Sequence, residues 1–223
     1  MYKAIIFDFF GTLTEGNCAP EDKIVAEWKL DKKPNFNYEF IEDVVCGTSC
    51  NLPFTEERRL QYFQTLIDKL QLPNDSESRL IEIFRKDIEG EKLITGSAEI
   101  VSWLKNKQYK LGMISDLANP DYDLSFRWGF ADFFDFRHLS YDAEWVNSNN
   151  YKRVLKPEPK IFERMVKKLE SDYENTLMIG NSLNSDIEPA RKLGIRAILV
   201  DYKKKYKEDK DRIENLEELR QIL

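Results

Sequence analysis

Four short runs of apolar residues stand out along the chain and predict the strands of a sheet. They cover residues 4–7, 111–114, 177–179 and 197–200. Each run is too short for a buried helix, and none shows the alternation of apolar and polar residues that marks a strand with one face in water. Continuous apolar runs of this kind are typical of parallel strands that are covered on both faces.

Amphipathic helical patterns lie between these runs. Apolar residues recur at helical spacing over residues 161–169 and 100–104, and Ser97 is a candidate N-cap for the second of these helices. A further helix is predicted over residues 186–193, where Gly194 would end it. Strands that alternate with helices predict right-handed βαβ units, and therefore an α/β fold with a doubly wound parallel sheet.

The interval 16–92 breaks this alternation, because it contains helical patterns and no convincing strand. The patterns fall at residues 24–30, 38–45, 60–70 and 80–88. Helices inserted directly after the first strand would cover the carboxyl edge of the sheet. We therefore expect an α/β core domain built from residues 1–15 and 93–223, and a helical cap domain over residues 16–92. A charged, solvated connection at 203–210 is expected to lead to a last helix at 213–223.

Charge and hydropathy exclude several classes of partner. The 223 residues include 34 Lys and Arg against 40 Asp and Glu, a formal net charge of -6. We expect no nucleic-acid partner, because neutralising phosphates requires a basic surface. No apolar run approaches the roughly 20 residues that span a bilayer, and no signal peptide is evident. These patterns predict no membrane partner. We also expect a cytoplasmic location, because an odd number of cysteines favours a reducing compartment, and either a monomer or a homodimer.

Carboxylates are the most plentiful groups for catalysis in this chain. Its three cysteines are an odd number and do not form a disulfide framework. Cys46 and Cys50 lack a second pair to complete a zinc site. His138 is the sole histidine and would have to serve any Ser-His-Asp or Cys-His site alone. We expect any catalysis to rely on carboxylate chemistry.

Polar residues follow the predicted strands at the edge where open α/β sheets bind ligands. Their carboxylate, hydroxyl, ammonium and amide groups suit an anionic substrate and a divalent cation. A Gly-Thr turn among them can direct N–H groups and a hydroxyl toward an anion. In chain order, the candidate residues are Asp8, Gly11, Thr12, Ser115, Asp116, Lys156, Asn181 and Asp186.

Each candidate also has an ordinary structural interpretation. Asp8 can attack an electrophile and form a covalent intermediate, or it can cap the following turn. Ser115 can donate to a phosphoryl oxygen or form a turn, and Lys156 can hold anionic groups together or lie at the surface. Asp186 can bind a metal ion or stabilise the first turn of its helix. Taken singly, the residues leave both interpretations open.

Taken together, the candidates resemble the four sequence motifs of the haloacid dehalogenase (HAD) superfamily. The resemblance extends over nearly the whole chain. It implies a hydrolase with a Rossmann-like core and a helical cap of the C1 type, inserted after the first strand. The motifs are Asp8 with Gly11-Thr12, then Ser115, then Lys156-Pro157-Glu158-Pro159, and finally Gly180-Asn181-Ser182 with Asp186.

The resemblance implies a role for each motif. Asp8 would be the nucleophile that forms a covalent aspartyl intermediate, and Lys156 would assist it in catalysis. Most members of the superfamily are phosphatases, so the implied substrate is a small phosphomonoester. The residues implied to bind the substrate are Gly11, Thr12, Ser115, Asp116 and Lys156. The implied Mg²⁺ ligands are Asp8, the backbone carbonyl of Phe10, Asn181 and Asp186.

Two positions depart from the phosphatase pattern. Phosphatases carry a second aspartate two residues after the nucleophile, where it protonates the leaving group, and this chain has Phe10 instead. General acid-base help is worth about 10²–10⁴-fold in rate, so phosphatase activity should suffer. Asn181 stands where an aspartate is usual, and its amide oxygen can bind Mg²⁺ without supplying charge.

Three functions remain open at this point. The first is a Mg²⁺-dependent phosphatase. The second is a metal-independent dehalogenase-like hydrolase, since dehalogenases have an aromatic residue at the position of Phe10 and expel halide without a proton. Arg58 and Arg59 would then receive halide, although their surroundings do not match the dehalogenase pattern. The third is a weak or inactive relative that binds a phosphate ligand or a protein. The polar stretch 142–155 can close over substrate or form a surface loop.

Overall fold

A six-stranded parallel sheet forms the centre of the fold. The computed structural model describes residues 2–16, 20–49, 56–116, 128–139 and 156–223. The order across the sheet is β3-β2-β1-β4-β5-β6, which places β1 and its Asp8 in the interior. The strands are β1 Ala4–Asp8, β2 Lys110–Ser115, β3 Phe136–Leu139, β4 Thr176–Gly180, β5 Arg196–Val200 and β6 Arg212–Ile213.

Both faces of the sheet are covered, which explains why the strand runs are continuously apolar. Ile5 and Phe7 of β1 belong to one buried apolar cluster, and Ala4 and Ile6 belong to a second cluster on the other face. Successive side chains of a strand point to opposite faces, so a strand covered twice needs apolar residues at every position. The α/β class and the four predicted strands are confirmed.

Eight α-helices are described along these parts of the chain. Four of them, α1 to α4, precede α5 and lie in the interval where a helical insertion was predicted. The helices are α1 Pro20–Glu27, α2 Tyr38–Ser49, α3 Glu56–Leu70, α4 Glu77–Gly90, α5 Ser97–Asn106, α6 Pro159–Lys168, α7 Glu188–Lys192 and α8 Leu219–Ile222.

A short antiparallel stem joins these four helices to the sheet. Thr14 pairs with Leu93, the amide of Glu15 donates to the carbonyl of Lys92 at 2.8 Å, and the amide of Ile94 donates to the carbonyl of Leu13 at 3.0 Å. The stem therefore lies at the boundary that the sequence predicts. The buried side chains of α1 to α4 continue the apolar cluster on one face of the sheet. The division into two domains stays a prediction.

Two predicted helices differ in the structure. The region predicted as a helix over 213–223 begins with β6, because Ile213 pairs with Val200 and extends the sheet. Helical structure starts only at Leu216–Glu218, where Asn215 and Glu218 form a capping box. The helix predicted over 186–193 begins as a π-helical turn at Leu183–Ile187 and becomes α7 afterwards.

The predicted N-cap of α5 was also wrong. Gly96 is the N-cap, with φ 89°, and Ser97 is the first helical residue. The Ser97 hydroxyl donates instead to the carbonyl of Leu13 at 2.9 Å, which ties the helix to the chain leaving β1. Within the described residues, no helix is long and apolar enough to cross a membrane. The predicted loop at 142–155 lies outside them.

Candidate active site

Asp8 is the central carboxylate of the candidate site. It ends β1, and its side chain is only 7% exposed. One carboxylate oxygen, Oδ1, accepts a hydrogen bond from Nζ of Lys156 at 2.6 Å. The other, Oδ2, accepts from the hydroxyl of Thr12 at 2.7 Å. A carboxylate buried at the end of an apolar strand thus has a partner for each oxygen, which offsets the cost of its burial.

Lys156 joins Asp8 to a second carboxylate. Its Nζ also lies 2.7 Å from Oδ1 of Asp186, and the lysine side chain is only 6% exposed. The remaining oxygen of Asp186 accepts the backbone N–H of Ser182 at 3.0 Å. One ammonium therefore bridges two buried carboxylates, and this cluster of three side chains carries a formal charge of minus one.

Gly180 allows Asp186 to reach this position. A Cβ atom at residue 180 would lie 2.5 Å from the Asp186 side chain, closer than real Cβ contacts come. The missing side chain lets the turn after β4 fold back against the strand end. A glycine is therefore required there to bring Asp186 to the same edge as Asp8.

The charges of the cluster are strongly coupled. Burial raises the pKa of Asp8 to about 6, and the nearby Asp186 adds to this effect, while Lys156 and Thr12 oppose it. Burial would lower the pKa of the Lys156 ammonium, but the carboxylates of Asp8 and Asp186 outweigh it and raise that pKa above its ordinary value. Lys156 is therefore firmly cationic at neutral pH.

The motif that follows β2 lies at the same edge of the sheet. Asp8 is in register with Ile114, so Ser115 is one residue beyond the nucleophile candidate on the neighbouring strand. Ser115 is buried, and its hydroxyl forms no hydrogen bond to another described residue. Asp116 is exposed, and its carboxylate accepts the backbone N–H of Lys156 at 3.0 Å. Asp116 thereby connects the end of β2 to the backbone at Lys156.

Phe10 is partly buried, and its ring packs against apolar neighbours. Its centroid lies 5.0 Å from that of Phe9, with the two planes at 75°, and Phe9 lies 6.5 Å from Trp128. Gly11 follows with φ 75°, a left-handed conformation that glycine adopts without strain. The turn from Phe10 to Thr12 therefore returns the Thr12 hydroxyl to Asp8 while leaving a phenyl ring, and no acid, at position 10.

The oxygen groups at this edge fit Mg²⁺ by their chemistry. Mg²⁺ binds oxygen ligands and retains several waters, so it needs few protein groups. Asp8 and Asp186 supply two adjacent carboxylates, and the Asn181 amide and Phe10 carbonyl stand in the loops that follow β4 and β1. Among the described residues, no three His, Cys, Asp or Glu side chains form a metal cluster. Lys156 already neutralises one carboxylate charge, which weakens the attraction of this edge for a cation.

A cavity of about 480 Å³ opens beside this cluster, on the side of β4 and β5. Gly11 and Asn181 belong to its wall, whereas Asp8 and Lys156 do not. The loop after β5 supplies much of the remaining wall, including Tyr202. Sequence reasoning missed this loop. The loop could have been found by its position directly after a predicted apolar strand, because the other candidate residues were selected by the same criterion.

The cluster and the sheet order define the class of protein to which the chain belongs. The profile that describes haloacid dehalogenase-like hydrolases matches residues 2–194. The chain belongs to this family and thus to the HAD superfamily.

Three curated relatives carry a phosphatase name. Glyceraldehyde 3-phosphate phosphatase of Pyrococcus abyssi is 28% identical over 148 residues, which are 64% of this chain and 58% of the relative. The protein of that name from Pyrococcus furiosus is 30% identical over 138 residues, 58% of this chain and 52% of the relative. The third is from Methanothermobacter thermautotrophicus, at 35% over 98 residues, 44% and 39% of the two chains. The matches thus span about half the length of these relatives or less.

Solved structures share the fold over nearly the whole chain. An HAD phosphatase from Thermococcus onnurineus superposes with a TM-score of 0.62 at 22% identity, covering 99% of this chain and 97% of that one. A 2-haloacid dehalogenase from Pseudomonas syringae pv. Tomato DC3000 superposes with a TM-score of 0.65 at 20% identity, covering 100% and 98%. The fold thus includes both a phosphatase and a dehalogenase, and does not choose between them.

Proposed function

We propose that the protein is a phosphatase that hydrolyses a small phosphomonoester through a covalent intermediate on Asp8. The observation that carries the proposal is the buried cluster in which Lys156 bridges Asp8 and Asp186, with the Ser115 hydroxyl on the neighbouring strand. The relatives named as phosphatases support the same reaction class.

In the first step, a carboxylate oxygen of Asp8 attacks phosphorus and the bond to the ester oxygen breaks. The leaving alkoxide takes a proton from solvent water, and the phosphoryl group stays on Asp8 as an acyl phosphate. Water then attacks phosphorus, which frees Asp8 and releases inorganic phosphate. Lys156 and Ser115 hold the phosphoryl oxygens, and Thr12 orients the carboxylate through its hydrogen bond.

We propose Mg²⁺ as the cofactor, held by Asp8, Asp186, the Asn181 amide and the Phe10 carbonyl. When bound, the ion neutralises phosphate charge, so that two anions can approach. Lys156 supplies part of the same neutralisation from the protein itself.

Phe10 affects the proton that the leaving group needs. A phenyl ring can neither protonate an alkoxide nor activate water, so the first step favours esters whose leaving group is stable as an anion. An acyl or aryl phosphate has such a leaving group, and a simple alkyl phosphate does not. We expect acyl and aryl phosphates to be hydrolysed much faster than simple alkyl phosphates.

An Asp8→Asn variant tests the proposed nucleophile. Phosphate release from p-nitrophenyl phosphate should fall at least about 10³-fold, because an amide cannot form the acyl phosphate. Asp75→Asn, at an exposed aspartate in the turn before α4, is the matched control and should keep full activity. If Asp8→Asn retains the wild-type rate, the protein either acts through another group or does not hydrolyse phosphate esters.

The aromatic ring at position 10 favours a second candidate, a dehalogenase-like hydrolase. Halide leaves without a proton, so Phe10 would cost that reaction nothing. Chloride release from 2-chloropropionate in the presence of a chelator distinguishes the two. Release at a rate above that for p-nitrophenyl phosphate with Mg²⁺ would replace the phosphatase proposal.

A further inference from the structure

The loop that follows β5, residues 201–206, is held in a fixed conformation. Asp201 is buried, and its two carboxylate oxygens accept the backbone N–H groups of Lys205 at 2.9 Å and Tyr206 at 2.8 Å. Its carbonyl accepts the N–H of Lys204 at 3.0 Å. One carboxylate thus organises the loop around itself, which fixes the backbone of the residues between.

The same loop is attached to the nucleophile turn. The Tyr202 hydroxyl donates to the carbonyl of Thr12 at 2.8 Å, and the Thr12 hydroxyl donates to Asp8. Tyr202 is partly buried, so this bond lies largely out of water. The loop after β5 therefore keeps a fixed position relative to the proposed reaction site.

Two lysines of the loop line the cavity without an ion-pair partner. Lys203 and Lys205 belong to the cavity wall, and neither ammonium pairs with a carboxylate of the described residues. Lys204, between them, is outside the wall and pairs with Glu214 at 2.5 Å. The sequence gives three consecutive lysines, and the structure separates them into two that face the cavity and one that is neutralised.

The cavity wall holds two lysines and two acids, so its formal charges sum to zero, but the two acids differ in how far their charge is compensated. Glu15 also belongs to the wall and forms no ion pair with another described residue, so it offsets one of the two ammonium groups. Asp201 is a wall residue too, but its carboxylate accepts two backbone N–H groups of the loop and lies 3.7 Å from the Arg212 guanidinium, so its charge is compensated inside the loop. Asn181 adds an amide that can donate a hydrogen bond. These groups suit an anion of modest size, since the volume of about 480 Å³ exceeds that of one carboxylate or phosphate.

We propose that this cavity binds a second anionic group of the substrate, so that the preferred substrates carry a carboxylate or a second phosphate besides the ester that is hydrolysed. The inference rests on the proposed phosphatase reaction at Asp8. Gly11 and Asn181 are shared by the wall and by the turns of the reaction site, so one molecule can occupy both places. The fixed loop lowers the entropic cost of binding, because its backbone is ordered before the substrate arrives.

The test compares two esters that differ in one charge. 3-Phosphoglycerate carries a carboxylate where glycerol 3-phosphate carries a hydroxymethyl group. The wild type should prefer 3-phosphoglycerate in kcat/KM. The double variant Lys203→Gln, Lys205→Gln should lose about tenfold of that preference through KM, with kcat for glycerol 3-phosphate unchanged. Lys204→Gln is the matched control, since it removes the same charge outside the cavity, and it should keep the preference.

Three outcomes overturn the inference. They are equal kcat/KM for the two esters, an equal loss in Lys204→Gln, and activation of glycerol 3-phosphate hydrolysis by inorganic sulfate. The last would show that the lysines bind a free anion instead of part of the substrate. Far-UV circular dichroism verifies that each variant folds.

A binding measurement separates this inference from the proposed reaction. Calorimetric titration of Asp8→Asn with both esters should show tighter binding of 3-phosphoglycerate. Equal affinity for the two esters would contradict the second anion site without contradicting the proposed reaction at Asp8. If wild-type hydrolysis does not depend on Asp8 but the preference in binding persists, the reaction is wrong and the anion site stands.

Discussion

Lys156 is the residue on which the other charges of the site depend. Its ammonium lies between two buried carboxylates that would repel each other without it. Removing one member of a buried charge cluster leaves the others without compensation, at a cost of about 3–5 kcal/mol.

A Lys156→Met variant should therefore be destabilised by about 3–5 kcal/mol in urea unfolding at pH 7. The loss in free energy of unfolding should become smaller as pH falls, because protonation of one carboxylate removes the repulsion between Asp8 and Asp186. Lys204→Met, which breaks an exposed pair, should cost no more than about 1 kcal/mol. Equal losses in the two variants would mean that burial does not strengthen the cluster at Lys156.

A Phe10→Asp variant tests whether the missing acid limits the reaction. Hydrolysis of glycerol 3-phosphate should rise about 10²-fold, because its alkoxide leaving group needs a proton. Hydrolysis of p-nitrophenyl phosphate should rise much less, since its leaving group is stable as an anion. Phe10→Asn is the control for loss of the ring without gain of an acid. If the aspartate variant does not exceed it, something else limits the rate.

Much of the candidate site was predictable from single residues and their order. Asp8, Thr12, Lys156 and Asp186 meet as expected, because carboxyl ends of parallel strands share one edge. The cavity lysines were not predictable. Lys203 lies in a mixed charge run whose pattern indicates a solvated connection, and only the folding of the loop around Asp201 gives it a place in a wall.

At the scale of elements, the loop after β5 depends on one titratable side chain. Burial would raise the pKa of Asp201, but hydrogen bonds from the backbone of Tyr206 and Lys205, with Arg212 at 3.7 Å, outweigh it and hold that pKa below its ordinary value. A lowered pKa in the folded state means that the carboxylate stabilises the protein above its ordinary pKa. This contribution is lost as pH falls through the folded-state value.

An Asp201→Asn variant should therefore melt at a lower temperature than the wild type at pH 7. The gap in Tm should narrow as pH is lowered from about 5 to about 3, since the wild-type carboxylate becomes protonated. Asp75→Asn should leave Tm nearly unchanged at pH 7. A gap of constant size at all pH values would show that the charge of Asp201 does not stabilise the loop.

The central strands were predictable and the outer ones were not, for a physical reason. β1 and β4 are covered on both faces and read as apolar runs. β3 is an edge strand whose four residues include Arg137 and His138, and β6 has only two residues. Neither produces a run or a periodicity. The helix predicted over 213–223 was wrong in its first part for the same reason, since pairing with β5 decides the conformation of Ile213.

On the scale of the whole molecule, ligand binding should appear as added stability. A ligand that binds only the folded state stabilises by about 2.7 kcal/mol at a hundred times its dissociation constant. Mg²⁺ with the phosphate mimic orthovanadate should raise the Tm of the wild type. Asp186→Asn should show a much smaller rise, because it keeps an oxygen but removes one of the two carboxylate charges of the proposed site.

The relevant comparison is the rise in Tm produced by each addition. Calcium is a useful control, since it prefers more oxygen ligands and longer bonds than Mg²⁺ does. If Mg²⁺ raises Tm equally in Asp186→Asn and in the wild type, the ion binds elsewhere on the protein.

The stem at Thr14 and Leu93 has a consequence for how proteins of this kind diverge. The chain leaves the sheet and returns to it at neighbouring residues that are hydrogen-bonded to each other. The residues between them therefore form an insertion whose two ends lie side by side. Such an insertion can be shortened, lengthened or exchanged in evolution without a change in the register of the strands. Because neither end of it carries a member of the carboxylate cluster, selection can rework what surrounds a reaction while the reacting groups remain where they are.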